Sequence, residues 1–126
     1  MPVWADMTSN ILIAAIATLL VIFAAWVGLS AAMGAHPFWH LKVALIGAPV
    51  GGVIALIVRN IAQRRALAVA GATFLLGAAF ATSQFGKMRF VASYAEDAFA
   101  GQLWFFGWIA TATMATLVLA LLWPKR

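Results

Sequence analysis

Apolar residues in this chain gather into four long runs separated by short polar breaks, at 10–33, 38–58, 66–85 and 101–123. A run of about 20 apolar residues is what an α-helix needs to cross the roughly 30 Å hydrocarbon core of a bilayer. The first run holds eleven Ile, Leu, Val and Phe residues. At roughly −0.3 to −0.6 kcal/mol each, they should carry it into the membrane unaided. Thr8, Ser9 and Asn10 stand before it as N-cap candidates. The breaks are short, the longest being about fifteen residues, and short links make sequential helices antiparallel neighbours. The pattern predicts one domain, an all-α integral membrane protein of four antiparallel transmembrane helices.

Composition sharpens this picture. Of 126 residues, 66% are hydrophobic and 9% are charged, where a soluble domain carries roughly a quarter charged residues. A water-soluble fold of this size has no interior large enough to hide so much apolar surface. There is no cysteine, which removes disulfides, thiolate metal sites and thiol nucleophiles. The net charge is +5, but the cations stand at span ends rather than in a stripe, so nucleic acid is not an expected partner.

With four spans both termini lie on one side. That side carries Arg59, Arg64, Arg65, Lys125 and Arg126, and the other carries Lys42, Lys87 and Arg89. The positive-inside rule then places both termini in the cytoplasm. The segment before the first run has no Lys or Arg, and the run is longer than the roughly 7–15 residues of a signal-peptide core. The first span is therefore expected to stay in place. Heavy alanine use, with Arg exceeding Lys, points to a bacterium with a GC-rich genome, and the expected location is its inner membrane.

Two of the three acidic residues adjoin in SYAEDAFAGQLWFFGW, residues 93–108. Ser93 and Glu96 have capping-box spacing, which predicts a helix over 94–123 with Glu96 and Asp97 in its first turn, where the helix dipole favours negative charge. Such a helix is about 45 Å long, so its acidic start should stand outside the bilayer. Trp104, Phe105, Phe106 and Trp108 would follow as an interfacial aromatic girdle in contact with lipid or pigment, joined by Trp39. Just before it, GKMRFVA is basic and amphipathic. It reads as a short interfacial segment in which Lys87 and Arg89 meet lipid head groups.

Other polar groups offer further candidates. His36 and His40 share a helix-face spacing, but Pro37 disfavours a helix through both. No acid neighbours them in sequence, so no metal site is expected. His40 alone is a candidate ligand to a pigment or haem, although no resident cofactor is expected. Lys42 lies about one turn inside the second run, where it can snorkel or meet an anionic lipid head group or a quinone as its ligand. Gly47, Gly51 and Gly52 flank Pro49 and have the small-residue spacing that lets helix backbones approach. Gly71, Ala72 and Ala79 give the third run a similar seam. In the fourth run Gln102, Thr113 and Thr116 share one face, and Trp104 and Trp108 point away from it.

No nucleophile–base pair and no acid within a run suggests catalysis, so an enzyme is not expected. The expected role is a non-catalytic accessory or assembly subunit of a larger bacterial inner-membrane complex, of respiratory or photosynthetic type. Its partners would be membrane lipids and other membrane subunits. The alternative is a small homo-oligomeric transporter or channel.

Overall fold

The computed structural model describes the backbone of residues 3–123 and the side chains of residues 7–123. It contains α1 (Val3–Trp26), α2 (Leu29–Ala32), α3 (His40–Ile61), α4 (Arg65–Ala92) and α5 (Ala98–Leu122), with no strand among the described residues. Four of these, at Met7–Trp26, His40–Ile61, Arg65–Ala92 and Ala98–Leu122, are long and apolar enough to cross a membrane.

The helix ends depart from the sequence pattern in three places, each for a local reason. The first run does not continue to residue 33. Gly28 adopts φ 97°, which breaks the helix, and α2 follows as a single turn. Gly34, at φ 117°, ends α2: the Ala35 N–H donates to the Ser30 carbonyl at 2.9 Å and the Gly34 N–H to Ala31 at 3.2 Å. That pair of bonds is a Schellman motif, whose left-handed residue is most often glycine.

Second, GKMRFVA does not lie apart as an interfacial segment. It forms the last turns of α4, which runs unbroken for 28 residues. It contains no proline, and Gly86 sits in the contact with α5, so the helix continues through it. Third, α5 starts at Ala98, not at Tyr94. Tyr94 and Ala95 take φ of 57° and 67°. Ala95 N–H donates to Phe90 O at 3.0 Å and Tyr94 N–H to Val91 O at 3.0 Å, a second Schellman closure. Asp97 rather than Ser93 is the N-cap, its carboxylate accepting from the Ala100 N–H at 3.0 Å. Ser93 instead accepts from the Asp97 N–H at 3.0 Å and donates to Phe90 O at 2.8 Å. Glu96 stays in the turn, outside the helix.

α5 is the central helix. It packs against α4, α3 and α1, whereas the extensive contacts of α4 are with α5 alone. Half of the apolar window of α5 is buried (50%), against 11% of that of α4. Arg65 reaches Leu121 and Leu122, Ser83 meets Gly107, and Gly86 meets Ala100 and Trp104. Gly47 and Gly51 of α3 meet residues 109–116 of α5, and Gly52 meets Thr18 of α1.

The sizes of buried and exposed side chains are inverted relative to a protein folded in water. The interior is built largely from alanine, including Ala17, Ala48, Ala55 and Ala120, and the largest fully buried side chains are Val43, Thr116 and Ser83. Outward-facing residues include Leu19 at 65%, Leu67 at 63% and Phe74 at 74% exposure. Water would penalise that arrangement at roughly 25 cal/mol per Å² of apolar surface. In lipid, helices associate by backbone approach and dispersion, which favours small residues inside. The chain therefore has the features of a multi-pass membrane protein.

Candidate functional site

Glycine carries the crossings of α5 with both α3 and α4. A Cβ at Gly47 would collide with the Ile109 carbonyl and one at Gly51 with the Thr113 carbonyl. The Thr113 hydroxyl sits at the first crossing, its one proton shared between the Gly47 carbonyl at 3.0 Å and the Ile109 carbonyl at 2.9 Å. On the other side of α5, a Cβ at Gly86 would stand 2.6 Å from Trp104 N, and one at Gly107 would stand 2.8 Å from Ser83 Cα. The sequence pattern had not singled out Gly86 and Gly107. They belong to two helices rather than to one spaced motif, and Gly86 lay outside the expected span. Ala72 is buried, Ala79 is half-buried, and Gly71 faces outward with nothing within 4 Å of its Cβ position.

The aromatic residues form an inward cluster as well as an outer surface. Trp104 and Trp108 are 6% and 4% exposed, so they do not face lipid. Being packed on several sides, α5 has no single outer face for them to occupy. The Trp104 indole N–H donates to Gly34 O at 2.9 Å and ties the link after α2 to α5. Gln84 of α4 adds a second tie, donating to Met33 O at 3.0 Å. Trp39 is stacked on His36 and sits edge-on to Trp104 and Phe105, with ring centroids 5.1 to 5.7 Å apart. Phe106 alone of the WFFGW aromatics is largely exposed.

The cations near this end are dispersed. Lys42 is exposed. The Lys87 ammonium lies 6.0 Å from the centre of the Trp104 ring, and Arg89 lies 3.9 Å from the Asp97 carboxylate. That ion pair is largely solvent-facing and is worth about 0–1 kcal/mol.

The opposite end holds a polar cluster centred on Arg59, which sequence reasoning counted as a loop cation. Arg59 is 3% exposed. Its Nε–H donates to Asn10 Oδ1 at 2.9 Å, and its Nη1 donates to the carbonyls of Ala120 and Trp123, each at 2.7 Å. Asn10 donates in turn to Asn60 Oδ1 at 2.8 Å. Arg65 holds two more carbonyls, those of Leu121 and Leu122. Two guanidinium groups thus cover the last carbonyls of α5, where the helix dipole favours positive charge. The legible signal was an Asn and an Arg-Asn pair bordering apolar runs on one side.

Between the two ends lies a cavity of about 520 Å³, lined by residues of all five helices. Its wall is almost wholly apolar. The exceptions include Ser30, His40, Trp108 and Thr111. The Thr111 hydroxyl donates to Gly107 O at 2.7 Å. Ser30 Oγ, His40 Nδ1 and Trp108 Nε1 are each buried with no hydrogen-bond partner. His36 takes no part in this wall: it lies in the turn before α3 and accepts from the Phe38 N–H at 3.1 Å. No group of three metal-ligating side chains occurs among the described residues. No protein family, curated protein or solved structure matches the chain.

Proposed function

We propose that this chain is a non-catalytic accessory or assembly subunit of a larger complex in a bacterial inner membrane. It would cross the membrane four times, with antiparallel helices and both termini in the cytoplasm. The pairings of Arg65 with Leu121, Ser83 with Gly107 and Gly86 with Ala100 support the antiparallel order of α4 and α5. The outer face of α4 carries the reading. Gly71 is exposed there with nothing within 4 Å, beside Ala70, Ala78 and Ala81 and among the larger exposed Leu67, Phe74 and Leu75, while Gly77 and Thr73 border the cavity. Small residues give lipid little to hold but let a second helix come close. A helix whose extensive packing is with one neighbour and that keeps such a face is suited to a partner subunit. The apolar cavity wall gives ions no path, which weighs against transport.

The absence of cysteine makes the test direct. Gly71→Cys and Ala78→Cys introduce single thiols for cross-linking in native membranes. The expected result is a product joining the chain to a different membrane protein that also copurifies at fixed stoichiometry. Cross-linking to copies of itself alone, or to nothing, would overturn the proposal.

A further inference from the structure

We infer that the cavity between α1, α3, α4 and α5 binds a neutral, lipid-soluble molecule that carries hydrogen-bond-accepting oxygens on an apolar body, the chemistry of a quinone. The inference does not depend on whether the chain works inside a larger assembly. A volume of about 520 Å³ falls within the roughly 300–1,000 Å³ of small-molecule sites, which combine apolar walls with a few placed polar groups. α1 and α4 flank the cavity without packing extensively on each other, which leaves a lateral route for a molecule dissolved in the bilayer.

The polar groups define the head of the ligand. No charged side chain lines the wall, so a charged ligand would lose its hydration with no counter-charge in return. Trp108 is 4% exposed and its indole N–H can only donate. The Ser30 hydroxyl can donate, and so can His40 Nδ1 in one tautomer. None of the three has a partner in the chain, and a buried donor left unpaired is costly. Carbonyl oxygens satisfy such donors, whereas an acyl tail or a plain hydrocarbon does not. The three atoms lie behind the wall surface, so the ligand must be met by a side-chain rotation of Ser30 or His40, and the Ser30/His40 variant tests that requirement.

The experiment uses the full chain in nanodiscs of defined lipid and follows tryptophan emission as decyl-ubiquinone is added. Saturable quenching is expected, and decylbenzene, which has the tail and a ring but no oxygens, should compete at least tenfold less well. Ser30→Ala with His40→Leu should weaken quinone binding about tenfold, the loss of roughly one hydrogen bond. Ala115→Phe, which fills the cavity from its apolar wall, should abolish saturable quenching with helix content unchanged, and it gives the non-specific baseline. Three results would each overturn the inference: quenching that never exceeds this baseline, equal competition by decylbenzene (an acyl-chain cavity), or unchanged affinity in the Ser30/His40 variant. If that double variant does not fold, the decylbenzene comparison and Ala115→Phe still decide the matter.

Discussion

The same substitution, glycine to alanine, should change stability in opposite directions at two positions of α4. In a helix interior alanine is favoured over glycine by about 0.5–1 kcal/mol, because glycine loses more backbone freedom on folding. At Gly71 the added methyl meets nothing within 4 Å, so Gly71→Ala should stabilise the isolated chain by about that amount. At Gly86 the methyl would stand 2.6 Å from Trp104 N, 2.7 Å from Ala100 O and 2.8 Å from Leu103 Cβ. Carbon contacts relax at about 3.5–4.0 Å, so α5 must retreat by about 1 Å. Two of the three atoms are backbone, so no side-chain rotation relieves the clash. Overpacking of this kind costs about 1–3 kcal/mol, and after the propensity gain a net loss of about 1–2 kcal/mol remains. Gly107→Ala presses on the same crossing through Ser83. The double variant should therefore lose less than the sum of the singles, by about 1 kcal/mol, since one retreat serves both. Unfolding in detergent, followed by circular dichroism against denaturant or temperature, measures each term. Should Gly86→Ala and Gly107→Ala gain stability as Gly71→Ala does, the close approach of α4 and α5 would be refuted.

Three further outcomes follow from the polar contacts. Arg59→Met leaves the Ala120 carbonyl and Asn10 Oδ1 without their donor. At about 1–3 kcal/mol for each buried acceptor, less the relief of a desolvated charge, a loss of about 2 kcal/mol is expected in the same unfolding assay. Asn10→Ala made in the Arg59→Met background should then cost less than it does alone. Asp97→Ala removes the N-cap of α5 and should lower stability by about 0.5–2 kcal/mol, with Asp97→Asn retaining most of it. Tyr94→Gly relieves a left-handed residue that is 91% exposed, and should raise the unfolding midpoint by an amount equivalent to about 1 kcal/mol.

The helices were legible because length and hydropathy alone decide whether a segment is long and apolar enough to cross a bilayer. Their faces were less so. Gly47 and Gly51 could be read as a packing motif since both lie on one helix, while Gly86 and Gly107 gain meaning only when α4 meets α5. Trp104 and Trp108 looked like girdle residues because α5 carries apolar groups on every side. Only the surroundings of α5 decide which of those groups turn inward. The cap moved from Ser93 to Asp97 because a Schellman turn, invisible as a glycine pattern, closes α4 with Tyr94 and Ala95. The cavity has no sequence signature: Ser30, His40 and Trp108 come from three helices, and although His40 and Trp108 are each candidates from sequence, nothing in their spacing places them on one wall.

The position of Arg59 also bears on the order in which the protein is built. Its carbonyl partners lie 61 and 64 positions further along the chain, so they emerge from the ribosome well after α1 and α3. Until α5 is made, Nη1 lacks these acceptors and must find water or other polar groups in their place, while Nε–H can already be held by Asn10 of α1. On this geometry the arrival of α5 would complete the polar shell of an arginine already paired with α1, and would tie α1, α3 and α5 together at one end of the bundle.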